Sequence, residues 1–403
     1  MKVFVLNCGS SSVKYSVFEM EKEKKLAFGT VEKIGTAEAT IYHQKLGNPA
    51  VSDSKLKLDY SEAMKRISGF LVDPKYGVMK DVDDLDAVGH RVVHGGDRFV
   101  QPVVIDKDVV QELIALFPLA PLHNPPNVKG IKWAQRLFPK AVQVAVFDTS
   151  FYQRMPKRAY MYGLPKEISQ KHGIRKYGFH GISHAYVAEQ AASFLKKEIS
   201  ALKMITCHIG NGVSITAISG GIPLDTSMGF TPLEGVMMGT RSGSIDPAII
   251  PFLEERTGQR SAEVVKLLNE KSGLLGVSGI SHDLRELVKA IKDGNEDAKL
   301  AIDIYVYQLV KMIGSFLPVL GGLDVLVFTA GVGEHVPLIR KRICDAFCFL
   351  GMDIREEQEQ VPSSTIRRIS TPESKVEILV VPTNEEWMIA MQTKALVEGK
   401  HPC

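Results

Sequence analysis

Charged side chains occur where apolar, strand-like runs of this 403-residue chain come to an end. Arg91 lies in VGHRVVHGGDRF, Asp148 follows VQVAVF, and Glu385 follows EILVVPTN. Carboxylates hold Mg²⁺ or its waters and an arginine fork binds phosphate or carboxylate, so these residue types could support phosphoryl transfer. Each also has a structural alternative: Arg91 could pair with a core carboxylate, Asp148 could cap a helix, and Glu385 could be a helix-start carboxylate.

A histidine pair and a second arginine could act on the same kind of group. His180 and His184 in YGFHGISHA have the i,i+4 spacing of metal ligands on a helix, but the HExxH glutamate and a third ligand are missing, which disfavours zinc. Gly181 between them instead places His180 before a helix, where its ring can hydrogen-bond a transferring phosphoryl oxygen. Arg241 lies among small residues in MMGTRSGS and has the forked donors for phosphate or carboxylate.

Small-residue motifs, each expected to form a loop, follow the strand-like runs VFVLN, MITCHIG and VLVFT. Glycine lets backbone N–H groups approach an anion without a Cβ in the way. The first motif, NCGSSSVKYS, is not a strict P-loop and on its own could equally be a tight turn. With CHIGNG and TAGVGEH, however, it favours a nucleotide-phosphate site. VFVLNCGSSSVKYSVFEM and MITCHIGNGVSITAISGG also resemble each other, which indicates duplicated domains facing each other across a cleft.

Alternating element patterns must position these residues. Strand-like runs (VFVLN, DAVGHRVVH, VQVAVFDTS, MITCHIG, DVLVFTAG and EILVVPTN) alternate with helical patterns such as AEVVKLLNEKS and AIDIYVYQLVKMIGSFL. This alternation predicts an α/β protein with a largely buried sheet. The length predicts two domains, and a boundary is expected near FYQRMPKRAY.

Composition narrows the class of protein. The hydrophobic fraction of 45% and the charged fraction of 24% are those of a soluble globular protein. A net charge of +3 without a basic run gives no indication of nucleic-acid binding. We find no apolar stretch of bilayer-span length and no signal peptide, and the five scattered cysteines fit a reduced compartment. A cytoplasmic protein without a membrane partner is therefore expected.

The order of these motifs resembles that of the acetate kinase family, within the superfamily of acetate and sugar kinases, Hsp70 and actin. The motifs are NCGSSSVKYS, VGHRVVHGGDRF, PLAPLHNPPN, VFDTSF, YGFHGISH, CHIGNG, DTSMGFTPLEGVMMGTRSGSIDP, VFTAGVGE and PTNEE. The resemblance implies an α/β fold of two duplicated RNase H-like (actin-type ATPase) domains around a central cleft. The first would comprise residues 1–148 with 385–403, and the second residues 149–384.

The resemblance also implies roles for individual residues. Arg91 would bind the substrate carboxylate, while His180 and Arg241 would stabilise the transferring phosphoryl group. Asn7, Asp148 and Glu385 would hold Mg²⁺, for which Mn²⁺ could substitute. A small apolar pocket would consist of Val93, Leu122, Phe179 and Pro232. The nucleotide, ATP or ADP, would contact Lys14, His208, Gly210, Asn211, Gly212, Asp283, Arg285, Gly331, Val332, Gly333 and Glu334.

The implied activity is reversible, ATP-dependent phosphorylation of acetate. A carboxylate substrate is ionised near neutrality and needs no general base, so we expect Asp148 to organise metal and orient substrate. Family members are homodimers, and a homodimer is expected here. Val93 leaves room for a methyl group, which favours acetate over propionate. His335 and Val336 depart from the usual family pattern near the adenosine, and Ile182 departs from it in GFHGISH.

Rival interpretations stay open at this point. The nearest is a propionate or other short-chain acyl kinase with a larger pocket. Another is a nucleotide-regulated binding protein of the Hsp70 or actin type, although the chain has no spare segment for a peptide-binding module. A third is a structural dimer with vestigial sites, which the retention of the charged positions disfavours.

Overall fold

The computed structural model describes residues 1–355 and 364–400. Its contacts divide the chain into two compact units: unit 1 comprises Met1–Gln153 and the chain from Asn384 onward, and unit 2 comprises Arg154–Thr383. The domain limits expected from the sequence, 1–148 with 385–403 and 149–384, stay a prediction. Residues 401–403 of that expectation lie outside the described residues.

Strands and helices alternate along both units. The strands of unit 1 are β1 (Lys2–Cys8), β2 (Val13–Glu19), β3 (Lys24–Glu32), β4 (Ala39–Lys45), β5 (Val51–Leu56), β6 (Ala87–Val92), β7 (Val103–Val104) and β8 (Val142–Phe147). Those of unit 2 are β9 (Lys203–Ile209), β10 (Val213–Ser219), β11 (Ile222–Thr226), β12 (Val325–Thr329), β13 (Arg367–Arg368) and β14 (Glu377–Val380). The strand-like runs identified in the sequence are thus confirmed.

The helices of unit 1 are α1 (Tyr60–Val72), α2 (Lys107–Ala115), α3 (Asn124–Leu137) and, at the end of the chain, α14 (Glu385–Val397). Those of unit 2 are α4 (Lys157–Tyr160), α5 (Lys166–His172), α6 (Gly181–Leu195), α7 (Ile249–Thr257), α8 (Ser261–Glu270), α9 (Gly273–Ser278), α10 (Leu284–Lys292), α11 (Glu296–Leu320), α12 (Ala330–His335) and α13 (Pro337–Asp345).

The two units repeat one strand arrangement. The sheet of unit 1 has the order β5-β4-β3-β2-β1-β6-β8-β7, and that of unit 2 has the order β11-β10-β9-β12-β14-β13. Both sheets contain an antiparallel meander of three strands, β1–β3 in unit 1 and β9–β11 in unit 2. Two further strands lie beside the first strand of the meander and run parallel to it: β6 and β8 in unit 1, and β12 and β14 in unit 2. The duplication indicated by the two similar sequence motifs is therefore present in the sheet topology.

Each sheet is covered because its central strands are apolar on both faces. Val3, Phe4, Val5 and Leu6 of β1 are at most 1% exposed. Phe4 and Leu6 belong to a core cluster with residues of α1. On unit 1, α14 packs against β1, β6 and β8. Runs of buried residues of this kind predict a central parallel strand rather than a strand with one solvated face.

The third glycine motif is a helix and not a loop. Thr329 ends β12, and Ala330 begins α12 at once, so that Gly331 and Gly333 lie within a helical turn. Glu334 Oε1 accepts from the Ala330 N–H at 2.8 Å and satisfies a backbone donor that the helix start leaves open. The glycines favoured a loop in the sequence, but a carboxylate four residues on closes the turn.

Helix α11 corrects the expectation that no apolar stretch reaches bilayer-span length. By length and composition alone its 25 residues could cross a membrane. Within unit 2 it packs against α9, α10 and β10, and Ile302, Tyr305, Leu309 and Ile313 are buried there. Apolar composition is also what a long helix in a protein core requires.

Gly89 allows α14 to lie close against β6. A Cβ at Gly89 would lie 2.5 Å from Thr393 Oγ1 and 2.8 Å from Ile389 Cγ2, both on α14. At distances this short, the two side chains or the helix that carries them must shift. Glycine at this strand position therefore sets the distance between the sheet and the helix that begins with Glu385.

We predict that Gly89→Ala lowers the unfolding free energy by about 1–3 kcal/mol, the usual range for overpacking a core. The measurement is urea unfolding followed by circular dichroism. Gly69→Ala in α1 is the matched control, because a Cβ there meets nothing within 4 Å. That control should gain about 0.5–1 kcal/mol, as alanine does over glycine inside a helix. Equal effects of the two substitutions would contradict the packing argument.

Candidate active site

The arginine expected to bind an anion lies beside two carboxylates of unit 1. Arg91 Nε and Nη2 donate to Asp148 Oδ1 and Oδ2 at 3.0 and 2.7 Å, so the pair is bidentate. Glu385 Oε2 lies 3.7 Å from Arg91 Nε. The Asp148 side chain is 2% exposed and that of Arg91 is 18% exposed. The ion pair is thus largely desolvated, and the guanidinium has further N–H donors beyond those that Asp148 takes.

Parallel strands bring these groups to one edge of the sheet. Arg91 is the last residue but one of β6, Asp148 comes directly after β8, and Asn7 is the last residue but one of β1. Glu385 is the first residue of α14, which packs on the same three strands. Lys14 is exposed and lies opposite Asn7 in the β1–β2 register. Ligands of α/β proteins collect at such strand ends.

The oxygen donors at this edge fit Mg²⁺. Asp148 and Glu385 approach the same guanidinium, and Asn7 supplies an amide oxygen at the end of the neighbouring strand β1. Mg²⁺ binds one or two carboxylates in proteins and keeps several waters. Within residues 1–355 and 364–400, no group of three or more histidine, cysteine, aspartate and glutamate side chains could hold a metal ion. The expected set therefore depends on the Asn7 amide and on water.

Burial acts on both members of the ion pair. Burial raises the pKa of Asp148 above its ordinary value, although the Arg91 guanidinium opposes the rise. Burial lowers the pKa of Arg91, but the carboxylates of Asp148 and Glu385 outweigh it and raise that pKa. The guanidinium consequently stays a cation, and its charge favours the ionised form of Asp148.

Two buried asparagines of α3, absent from the expected site, fix the chain that follows β6. Asn127 accepts from the Val93 N–H at 3.1 Å and donates to the Cys8 carbonyl at 2.7 Å. Asn124 accepts from the His94 N–H at 3.2 Å and donates to the His94 carbonyl at 2.9 Å. The NPPN spacing at the start of a helix was the available signal, because residues three apart share a helix face.

The four residues expected to form the acyl pocket are divided between the units. Val93 is 9% exposed, and Leu122, in the turn before α3, is 59% exposed. Phe179 and Pro232 belong to unit 2, where Phe179 is 2% exposed and the Pro232 carbonyl accepts from Arg241 Nη1 at 3.2 Å. Their assignment to one pocket stays a prediction.

His180 stands at the N-terminus of α6, as the following glycine predicted. Its φ of 58° lies in the left-handed region, which residues other than glycine rarely adopt. Its Nδ1 lies 2.8 Å from Ser214 Oγ, and its ring stacks on that of His208 with centroids 4.1 Å apart. His184 lies inside α6 and contacts the same Ser214 hydroxyl at 2.7 Å. The two histidines therefore share a serine.

Gly212 provides space beside His180 and Arg241. A Cβ at Gly212 would lie 3.3 Å from His180 Cε1, 3.4 Å from His180 Nε2 and 3.5 Å from Arg241 Nη1. The Arg241 loop is fixed by backbone hydrogen bonds, including one from the Met238 N–H to the Arg241 carbonyl at 3.0 Å. Burial lowers the pKa of Arg241. An imidazole nitrogen and a guanidinium thus flank one glycine turn, an arrangement suited to a phosphoryl group.

A cavity of about 370 Å³ in unit 2 is lined by six of the residues expected to contact the nucleotide. Its lining includes Gly210, Asn211, Asp283, Arg285, Gly331 and Val332 from the expected set, with His282, Leu284, His335 and Val336 in addition. Asp283 caps α10 and binds the Arg285 guanidinium at 2.6 Å, which orients the cation. Polar and apolar groups converge in this concave site, as in small-molecule sites generally.

Several expected nucleotide contacts lie elsewhere. Glu334 Oε1 accepts from the backbone N–H groups of Ala330 and Thr383 at 2.8 and 3.1 Å, which is a structural role in α12. Gly333 is buried against the backbone of β9 and β12. His208 and Gly212 stand beside His180, and Lys14 belongs to unit 1.

Known proteins match nearly the whole chain. A family model described as "Acetokinase family" matches residues 2–391. A protein of Thermoanaerobacter pseudethanolicus named acetate kinase is 49% identical over 400 residues, covering 99% of this chain and all of that protein. The crystal structure of Porphyromonas gingivalis acetate kinase has 46% identity and a TM-score of 0.91 over 98% of this chain and 99% of that one. The crystal structure of a propionate kinase from Francisella tularensis has 40% identity and a TM-score of 0.90, with the same coverage of both chains.

We predict that Arg91→Ala destabilises the protein in a pH-dependent manner. A carboxyl whose pKa is raised by burial stabilises the fold only while protonated, so the variant should lose stability as pH rises through the pKa of Asp148. At pH 8 the loss should be about 3–5 kcal/mol, since a buried carboxylate is left without its counterion. The measurement is urea unfolding at several pH values between about 4, the ordinary aspartate value, and 8.

The matched control is Lys341→Ala, which removes an ion pair to Asp345 whose two side chains are 53% and 55% exposed. Exposed pairs contribute about 0.2–1 kcal/mol, so this loss should be small at every pH. If the loss in Arg91→Ala were the same at pH 8 and at acid pH, the argument from the buried carboxylate would be wrong.

Proposed function

The chain belongs to the acetokinase family, and from this we propose that it transfers the γ-phosphoryl group of ATP to the carboxylate of acetate, reversibly and by direct in-line transfer. The observation that carries the proposal is the Arg91 guanidinium held by Asp148 and Glu385 at the carboxyl ends of parallel strands. A fixed cation that retains N–H donors is what recognition of a small carboxylate requires. The α/β fold with two duplicated RNase H-like domains, expected from the sequence, is confirmed by the match to acetate kinase structures.

Acetate needs orientation and not activation. Its carboxylate is ionised near neutrality, so no general base is required to make it a nucleophile. Arg91 binds this carboxylate through the donors that Asp148 does not take, and Asp148 holds the guanidinium in place. Fixing the attacking oxygen supplies a large share of the rate in reactions of this class.

Each unit has groups suited to neutralise charge on the phosphoryl group. Mg²⁺, typical of the family, would be held by Asp148, Glu385 and Asn7, and it would withdraw charge from the phosphate oxygens. His180 Nε2 and Arg241 Nη1, which flank Gly212, donate to the oxygens of the transferring group. Interactions that strengthen as charge develops in the transition state raise kcat more than they lower KM.

The nucleotide occupies the cavity of unit 2. Gly210 and Asn211 lie in the β9–β10 turn, where backbone N–H groups can approach phosphate. Asp283 and Arg285 at the start of α10 and Gly331 in α12 surround the adenosine, and His335 and Val336 shape the same cavity. Five other residues are assigned to the nucleotide on weaker grounds, because they do not line that cavity: Lys14, His208, Gly212, Gly333 and Glu334.

Propionate is the rival acceptor, since one of the similar structures is that of a propionate kinase. Val93 favours acetate because its nearly buried side chain, fixed through Asn127, limits the length of the acyl chain. We place the enzyme in the cytoplasm as a homodimer. The four cysteines in the described part of the chain are free, which supports a reduced compartment.

The test is hydroxamate trapping of acyl phosphate formed from Mg·ATP with acetate, propionate or butyrate. We expect a strong signal with acetate and a weak one with propionate, because one methylene is worth about 1–3 kcal/mol in a hydrophobic pocket. Arg91→Ala should abolish the signal. Absence of acyl phosphate with all three acids would refute the proposed activity. A propionate signal equal to that of acetate would refute the preference for acetate as the acceptor.

We further predict that Val93→Ala broadens the acceptor range. Removing two methyl groups from the nearly buried side chain enlarges the space for the acyl chain, so kcat/KM for propionate relative to acetate should rise about 10-fold or more. The measurement is coupled kinetics with both acids. Val104→Ala, at a position that is 49% exposed on the short strand β7, serves as control and should leave the ratio unchanged. An unaltered ratio in Val93→Ala would remove that residue from the pocket.

A further inference from the structure

A chain of hydroxyl and imidazole groups crosses the interior of unit 2 and ends at His180. Thr206 Oγ1 lies 2.7 Å from His184 Nδ1, and His184 Nε2 lies 2.7 Å from Ser214 Oγ. Ser214 Oγ in turn lies 2.8 Å from His180 Nδ1. Thr206, His184 and Ser214 are all 0% exposed. In the sequence only the i,i+4 spacing relates His180 to His184, and the serine between them was not identified.

The direction of each hydrogen bond follows from counting protons. A neutral imidazole has one N–H donor and one acceptor nitrogen, and a hydroxyl has one proton to donate. Burial lowers the pKa of His184 well below its ordinary value, so this ring is neutral. Its two hydrogen bonds must therefore run in opposite senses. If Ser214 accepted from both rings, its own proton would have no acceptor among the contacts of the described residues, so the whole chain has a single direction.

Thr206 decides which direction that is. Among the described residues, the hydrogen-bond partner of the buried Thr206 hydroxyl is His184 Nδ1. If the chain ran from His180 toward Thr206, the Thr206 O–H would be left buried without an acceptor, which costs about 1–3 kcal/mol. In the opposite direction Thr206 donates to His184 Nδ1, His184 Nε2–H donates to Ser214, and Ser214 donates to His180 Nδ1. Every proton is then satisfied.

We infer that Ser214 and His184 are positioning residues that hold His180 in the tautomer with its proton on Nε2, so that Nε2–H donates to the transferring phosphoryl oxygen. Nε2 is the ring nitrogen that would lie 3.4 Å from a Cβ on Gly212, and Arg241 Nη1 would lie 3.5 Å from the same Cβ. The phosphoryl group in this inference rests on the proposed function, whereas the tautomer of His180 does not depend on it.

A second arm fixes the plane of the same ring. The His208 ring stacks on His180 with an interplanar angle of 21°. His208 Nδ1 contacts Ser183 Oγ at 2.8 Å, and Ser183 Oγ contacts Thr383 Oγ1 at 2.8 Å. Ser214 therefore determines which nitrogen carries the proton, while His208 limits rotation of the ring. His180 adopts an unfavourable left-handed backbone conformation, and this conformation keeps the ring in its position.

The first measurement is ¹⁵N-histidine NMR of the full-length wild-type protein, with the His180 resonances assigned by comparison with His180→Gln. We expect a neutral His180 ring with an unprotonated Nδ1 and a protonated Nε2. A proton on Nδ1 would overturn the inference. The variant serves only to assign the resonances, and the result does not depend on any activity.

The second measurement is steady-state kinetics of Ser214→Ala. Without the serine proton the two tautomers of His180 compete, so kcat should fall about 10- to 100-fold, less than the roughly 10²–10³-fold cost of removing such a donor outright. KM for acetate and for ATP should change less than about threefold, because ground-state binding does not use this proton. The NMR spectrum of the variant should show partial Nδ1 protonation.

The matched control is Thr226→Val, which removes a buried hydroxyl of the same sheet that bonds to Thr216 and to the Ile215 carbonyl, and not to a histidine. It should keep kcat within about twofold whatever it does to stability. Unchanged kcat in Ser214→Ala, or an equal fall in the control, would overturn the inference. If wild-type protein formed no acyl phosphate while NMR showed the expected tautomer, the proposed function would fail and the positioning of His180 would stand.

Discussion

The structure depends on keeping one guanidinium cation, Arg91, in a largely desolvated place. Asp148 provides the bidentate partner and Glu385 a second carboxylate, and both must arrive at the same strand edge. That requirement explains why β6 and β8 run parallel side by side, and why α14 returns from the end of the chain to pack on them. It also explains why Gly89 has no side chain, since a Cβ would push α14 away. A desolvated ion pair adds little to stability by itself, which supports the proposal that Arg91 binds an anion.

Duplication of the sheet gave the two units the same hairpin and different chemistry. In unit 1 the β1–β2 register pairs Asn7 with Lys14, and in unit 2 the β9–β10 register pairs His208 with Ser214. The first pair is suited to oxygen ligation and charge, whereas the second holds the ring of His180 through stacking and a hydroxyl. Under the proposed function, one backbone framework supports acceptor binding in one unit and phosphoryl stabilisation in the other. Function resides in the side chains placed on the fold and not in the fold itself.

Local patterns in the sequence were sufficient for the strands, for the duplication and for the place of His180. Apolar runs with polar ends predict buried strands, and Gly181 predicts that the preceding histidine lies outside the helix. The glycines of AGVGEH led to a wrong prediction of a loop. The helix there is closed by a hydrogen bond from the Ala330 N–H to the Glu334 side chain, which composition does not reveal. The roles of Asn127 and Ser214 were also beyond reach, because each depends on partners that are distant in the chain. Hydroxyl and amide side chains of that kind are common, and only their partners distinguish them from ordinary core residues.

The most direct test of the central claim is the steady-state kinetics of Arg91→Lys with acetate and ATP varied independently. Lysine keeps the positive charge but cannot hold Asp148 with two hydrogen bonds and a carboxylate substrate at the same time. We predict that KM for acetate rises at least about 10-fold and kcat falls, while KM for ATP changes less than about threefold. A rise in KM for ATP with KM for acetate unchanged would contradict it, because the cation at the ends of β6 and β8 would then serve the nucleotide and not the acceptor.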